Sequence, residues 1–245
     1  SLWAIEATHQ RVAETLSFAK ADKGVVIAPD ITKYRELKLR LLNGTHTLSS
    51  GIGVLAGIET VKEGMKDKAL SGFIETLMMQ ELAPAISGPS LSVDEARSYG
   101  RTILDRFRNP FIQHKWLSIT LQYSSKMKMR DLPILLKHYE QKSDVPSLFA
   151  LGFAAFICFM KSEAKGEEYY GTANGKDYLI QDDNAGYLSD LWKKHGAEKI
   201  VNAVLRDESL WGADLTRLPG FEKDVTEKLS LISSGGMRAA LQTVL

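Results

Sequence analysis

The amino-acid sequence predicts a mainly α, multi-helical domain with one small β-hairpin, and three observations carry that prediction. Apolar residues recur at three- and four-residue intervals over most of the chain, the period of a helix with one buried face. The run 148–160 is almost entirely apolar yet shorter than the ~20 residues of a membrane span, so it reads as a buried core helix. Asn174-Gly175 lies between β-prone stretches, and this dipeptide suits a tight hairpin turn because both central positions need positive φ.

In chain order, Leu2 to Ala7 and Val25 to Ala28 are short β-prone pieces, the second ended by Pro29. Asp30 or Thr32 caps a helix whose apolar stripe is Leu37, Leu41, Leu48, Ile52 and Leu55. Gly44, Gly51, Gly53 and Gly57 interrupt it. Gly51-Ile52-Gly53 lacks the preceding strand and the third glycine of a dinucleotide loop, so it reads as close helix packing. Phe73, Ile74, Leu77, Met78 and Leu82 form the next stripe, bent or ended at Ala83-Pro84. Ser92-Val93-Asp94-Glu95 fits a capping box and opens a helix to about Phe107, stopped by Asn109-Pro110.

A further amphipathic helix is expected from Phe111 to about Tyr123, and another capped by Asp131 with Pro133 in its first turn. After the hairpin (169–180), helices are expected over 185–194, 197–205, 221–232 and 237–244. With no repeat, low-complexity tract or linker, residues 1–245 read as a single domain.

Composition excludes several classes. Thirty-one basic and 30 acidic residues leave a formal net charge of +1, and the basic clusters are short, so no nucleic acid partner is expected, and no membrane. The single cysteine, Cys158, lies in the apolar run and allows no internal disulfide; together with the lack of a secretory leader, it makes a reducing, cytoplasmic setting the expectation. His9, His114, His138 and His195 are scattered without ligand spacing, so no metal is expected. His114 follows the Asn109-Pro110 turn and reads as a hydrogen-bonded structural histidine, with a place in a cleft as the alternative. Asp182-Asp183 reads as loop solvation or helix capping. No serine shows a nucleophile elbow.

The stretch with chemistry in it is Lys38 to Thr47. At about 100° per residue the stripe leucines and Ile52 fall on one side, while Lys38, His46, Asn43 and Ser50 share a polar arc, with Asn43 about 140° from Lys38. Leu39 and Leu42 lie within that arc and make the expected cleft partly apolar. An amine, an amide and an imidazole facing one cavity suit a step in which a hydroxyl loses its proton while its carbon loses hydride. The lysine amine, lowered by desolvation, serves as base; the amide donates to the developing oxyanion; the imidazole holds a neighbouring hydroxyl. Helical periodicity equally allows a dimerisation or scaffold domain, in which these residues form a solvated face.

Lys38-x-x-x-x-Asn43-Gly44-x-His46 resembles the active-site motif of the long-chain mannitol dehydrogenase family, and Leu39 to Leu42 resemble its uronate-reducing branch. The likeness continues in Arg106-Phe107-Arg108-Asn109-Pro110-Phe111-Ile112-Gln113-His114, Ser124-Ser125-Lys126, Gln181-Asp182-Asp183 and Gly236-Met237-Arg238. The resemblance implies the fold of that family's C-terminal domain and an NAD-dependent interconversion of a 2-keto sugar acid and its alcohol. It implies Lys38 as acid/base, Asn43 in the oxyanion site and His46 as a substrate-hydroxyl ligand. It also implies a dinucleotide-binding (Rossmann) domain upstream, absent from this chain, as the partner that holds the NAD.

A sugar acid brings a carboxylate, which asks for cations. Lys126, Lys128 and Arg130 are the candidates, Lys126 at the family's Ser-x-Lys-like position. Mannitol-type members carry an arginine eight residues before this lysine, where this chain has Ser118, so a mannitol-type polyol contact is in doubt. A uronate reductase of other stereochemistry and a true polyol dehydrogenase are the runners-up.

Overall fold

Short-range hydrogen-bonding signals place most of the elements. The computed structural model describes residues 3–22 and 24–243, so Leu2 and Val244, the outer ends of two expected elements, lie outside the described residues. Trp3–Glu6 (β1) and Val25–Ala28 (β2) pair in parallel, Trp3 opposite Val25 and Glu6 opposite Ala28. Between them lie a short helix, Gln10–Thr15 (α1), and a 3-10 turn, Ser17–Lys20.

Three composite rods follow. In the first, Thr32–Glu36 (α2), a π-helical segment Leu37–Gly44 and Thr45–Leu55 (α3) run on without a break. Asp30 opens it by accepting the Thr32 N–H at 2.7 Å. After Val61–Gly64 (α4), the second rod comprises Lys68–Thr76 (α5), a π segment Leu77–Leu82 and Ala83–Ile86 (α6). Val93–Phe107 (α7) carries the expected capping box, Ser92 and Glu95 bonding each other's backbone N–H. Trp116–Ile119 (α8) precedes the third rod, made of Tyr123–Lys126 (α9), a π segment Met127–Asp131 and Leu132–Gln141 (α10). The first π segment packs against both of the others.

Ser147–Phe159 (α11) is the central core helix, buried on almost every face and packed between α3 and Phe221–Gln242 (α14). Its Phe153 and Phe156 meet Trp211, and Phe149 and Phe153 meet Phe221. Each phenylalanine so buried contributes roughly 1.5–3 kcal/mol. Glu163–Lys165 (β3), Glu168–Ala173 (β4) and Lys176–Ile180 (β5) form an antiparallel sheet. Asn174 and Gly175 both take positive φ at the hairpin turn, as expected, and the Asn174 amide also caps α3 by donating to Leu55 O at 3.1 Å. The strand β3 was not expected. Ala185–Leu205 (α12), Glu208–Trp211 (α13) and α14 complete the chain, α12 and α14 breaking at Gly196 and Gly236 where the expected helix pairs divide.

Two sequence expectations fail. Residues 111–115 form no helix: Phe111 is 91% exposed, and the segment is drawn out flat by a bridge between Thr60 and Lys115. Only α8 is helical before Gln122, whose φ of 52° breaks the backbone. Asp131 caps nothing, because it lies fully buried with neither carboxyl oxygen bonded. No helix among the described residues is long and apolar enough to cross a membrane.

Candidate functional site

The π segment Leu37–Gly44 changes the wheel on which Lys38, Asn43 and His46 were placed. In a π turn the backbone bond runs from a residue to the fifth beyond it. Lys38 and Asn43 are five apart, so they share one side of the rod instead of lying about 140° apart as an α-helix would put them. π turns are frequent at functional sites, and this one of three in the chain carries two of the three motif residues. Lys38 is exposed, with Leu39, Leu42 and Asn43 partly buried beside it. The leucines therefore do not by themselves desolvate the amine. Ser50 leaves the polar arc altogether: it is buried and donates to Thr47 O at 2.8 Å.

Close approach explains the glycines of this rod. A Cβ on Gly44 would lie 2.7 Å from Asp131 Oδ1. Gly44 thus admits the third rod against the first, and Arg40 locks the contact by donating to the carbonyls of Met129 and, at 3.1 Å, Arg130. Gly51 and Gly53 likewise receive Tyr123 and Trp116. The Tyr123 hydroxyl accepts the Gly51 N–H at 3.1 Å, so this glycine pair is packing and makes no phosphate cradle.

His46 is stacked on Phe107 with ring centroids 4.1 Å apart and meets His114 (5.4 Å) and Trp116 (6.3 Å) edge-on. Burial, with His114 and Arg130 adding positive charge, lowers its pKa to about 3, so the ring is neutral at pH 7. Its Nε2 is shielded and has no partner, leaving one hydrogen bond unspent.

Arg130 reaches the same region, donating to Thr47 Oγ1 at 3.2 Å. Lys126 donates to Ile119 O at 2.8 Å, and burial and Arg130 hold its amine below the ordinary lysine value while Asp182 acts the other way. Neither cation forms an ion pair among the described residues. Asp131, between Arg130 and Arg40, has its pKa raised well above the carboxylate range by burial.

The structure therefore brings His46, Lys126 and Arg130 together and sets Lys128 apart. Lys128 is exposed and lines a cavity with Ser124, Ser125, Asn184, Tyr187 and Ser209. Alternate residues of a helical turn point to different sides, so Lys126 and Lys128 cannot share a ligand there. Asp182 and Asp183 tie the end of the hairpin to the third rod: Asp182 accepts from Ser124 N–H (2.7 Å) and Oγ–H (2.6 Å), Asp183 from Gln122 (2.9 Å). Arg238, in the motif near the C-terminus, has a packing role. It donates to Ala56 O at 3.0 Å and pairs with Asp67 at 2.9 Å.

Sequence reasoning missed Phe107 and Trp116 as aromatic neighbours of His46; the third neighbour, His114, ends the Arg106 to His114 motif. Among the described residues no three His, Cys, Asp or Glu side chains gather as a metal site.

A mainly helical domain with Lys38 and Asn43 on a π-helical segment is the fold to be compared. Residues 30–233 match the Mannitol dehydrogenase C-terminal domain, and the chain belongs to that family. The chain is 40% identical to the altronate oxidoreductase of Yersinia pestis over 240 residues, which is 95% of this chain and 47% of that protein. It is also 40% identical to the altronate oxidoreductase of Pectobacterium atrosepticum, over 94% of this chain and 47% of that protein. The chain thus spans about half the length of these relatives. Its fold is similar to that of Pseudomonas fluorescens mannitol 2-dehydrogenase, solved as a ternary complex with NAD and D-mannitol, with a TM-score of 0.77 and 24% identity over 90% of this chain and 42% of that one.

Proposed function

We propose that this chain is the substrate-binding and catalytic half of a cytoplasmic NAD-dependent oxidoreductase that interconverts D-tagaturonate and D-altronate. The observation that supports the reading is the π-helical segment bearing Lys38 and Asn43, on a rod that continues to His46, which lies within electrostatic reach of Arg130. The altronate oxidoreductase relatives support the choice of sugar acid.

In this reading the Lys38 amine takes the alcohol proton during oxidation and returns it during reduction. The Asn43 amide donates to the substrate oxygen as charge grows there, a contact worth about 10²–10³ in rate. A neutral His46 offers its free ring nitrogen to a neighbouring hydroxyl, and Lys126 with Arg130 meets the carboxylate. NAD supplies hydride acceptance and donation when bound.

A preceding dinucleotide domain therefore completes the enzyme in this proposal. The parallel pair β1 and β2 supports it, since purely parallel strands normally occur within larger sheets covered on both faces, and the family match begins only at residue 30. Cover from that domain would also desolvate Lys38.

The test is Lys38→Ala in the full-length protein. Altronate oxidation should fall at least ~10²-fold in kcat, the low end for a positioned base, and the loss of rate on lowering pH expected of the wild type should be absent from the variant. Near-normal turnover with an unchanged pH profile would overturn the assignment.

A further inference from the structure

His114 is the one titratable side chain at this site without an assigned task. Its backbone is pinned: Val61 N–H donates to His114 O at 2.9 Å, and two residues on, Trp116 N–H donates to Glu59 O at 3.0 Å. The imidazole therefore projects from a fixed, extended segment, and the residue remains exposed.

Its surroundings are one-sided in charge. From α3 it meets the edge of neutral His46 at 5.4 Å, and from α9 the Lys126 amine lies within electrostatic reach. Arg130 stands behind these two, acting on both His46 and Lys126. Along its own segment, Lys115 is paired with Glu59 at 2.7 Å and Lys62 donates to Pro110 O at 3.3 Å, so the nearby carboxylate is already engaged. Burial first and Lys126 second hold the free imidazole below its ordinary value. A group held neutral by neighbouring positive charge gains a proton when a negative charge arrives.

We propose that His114 is a specificity-determining residue that joins Lys126 and Arg130 in a clamp for the substrate carboxylate, taking up one proton from solvent on its imidazole as the carboxylate binds. This deepens the sugar-acid reading and rests on it for the identity of the acid. The three donors come from two segments, the extended stretch of His114 and the third rod that carries Lys126 and Arg130 four residues apart. A neutral sugar gives His114 no reason to charge.

The experiment follows the His114 ring signal of the full-length protein by NMR as a function of pH, assigned by its loss in His114→Gln. The probes are sodium D-altronate, sodium D-gluconate and D-mannitol. Altronate should raise the His114 titration midpoint by about one pH unit or more, which by linkage means about tenfold tighter binding to the protonated ring. Mannitol should leave it in place. His114→Gln should weaken altronate binding about tenfold below pH 6.5 and scarcely alter it at pH 8.5. An upward shift with gluconate in a protein that does not oxidise altronate would uphold the clamp while removing the altronate assignment. No shift with either acid, or an equal shift with mannitol, would overturn the clamp whether or not altronate is oxidised.

Discussion

Acidification should destabilise this fold through His46. An imidazole in an unfolded chain titrates near ~6.5, whereas in the fold burial, His114 and Arg130 bring His46 down to about 3. The folded value is the lower one, so between the two it is the unfolded state that binds the extra proton, and stability falls as pH falls from 6.5 toward 3. At pH 5 the unfolded ring is almost fully charged while the folded ring is neutral. With about 1.4 kcal/mol per unit over ~1.5 units, the fold loses about 2 kcal/mol relative to pH 7.

Buried carboxyls run the other way. Glu81 is raised to about 7, burial outweighing the bonds it accepts from Leu148 and Phe149 N–H, and Asp131 is raised as well. Each holds its proton to higher pH in the fold and so contributes stability that is lost as pH rises. The His46 contribution is isolated by comparison with His46→Gln, using urea unfolding at pH 7 and pH 5. Losing the stack on Phe107 weakens the variant at both values alike and cancels. The wild type should lose about 2 kcal/mol more than the variant between pH 7 and pH 5. Equal losses would show that the native imidazole charges freely, which would refute both its burial and its role as a neutral hydroxyl ligand.

The remaining predictions concern packing and charge. Gly44→Ala places a methyl 2.7 Å from Asp131 Oδ1, so it should cost about 1–3 kcal/mol in chemical unfolding; Asp131→Ala in the same chain should recover part of the loss, and additive costs would separate the two residues. Asn43→Ala in the full-length protein should depress kcat for altronate about 10²-fold or more while leaving the pH dependence from Lys38 in place, and a vanished pH limb would reassign the base. Lys126→Met should raise KM for tagaturonate far more than for an uncharged ketose, whereas Lys128→Met, on the other cavity, should alter neither. Reversal of that order would move the carboxylate to the Lys128 side.

Much of the helical scaffold could be read locally. The Ser92 and Glu95 capping box, the Asn174-Gly175 turn and the breaks at Gly196 and Gly236 lie where near-neighbour hydrogen bonding and glycine backbone freedom put them. The run 148–160 declared itself by being apolar on every face, and it is the core helix α11. The motif residues were visible as types, an amine, an amide and an imidazole in one short stretch.

What only the tertiary structure decided is where those types stand. The first of the three π segments packs against both of the others, and Gly44 at the end of the first lies against the buried Asp131, 87 residues away in sequence. A helical wheel at constant pitch therefore misplaced Asn43 and Ser50. For the same reason Asp131 reads as a cap in the sequence, although its carboxyl oxygens bond no backbone N–H in the fold. Periodicity records which face of a segment is apolar, whereas the neighbours of a polar side chain are set by the packing of distant segments.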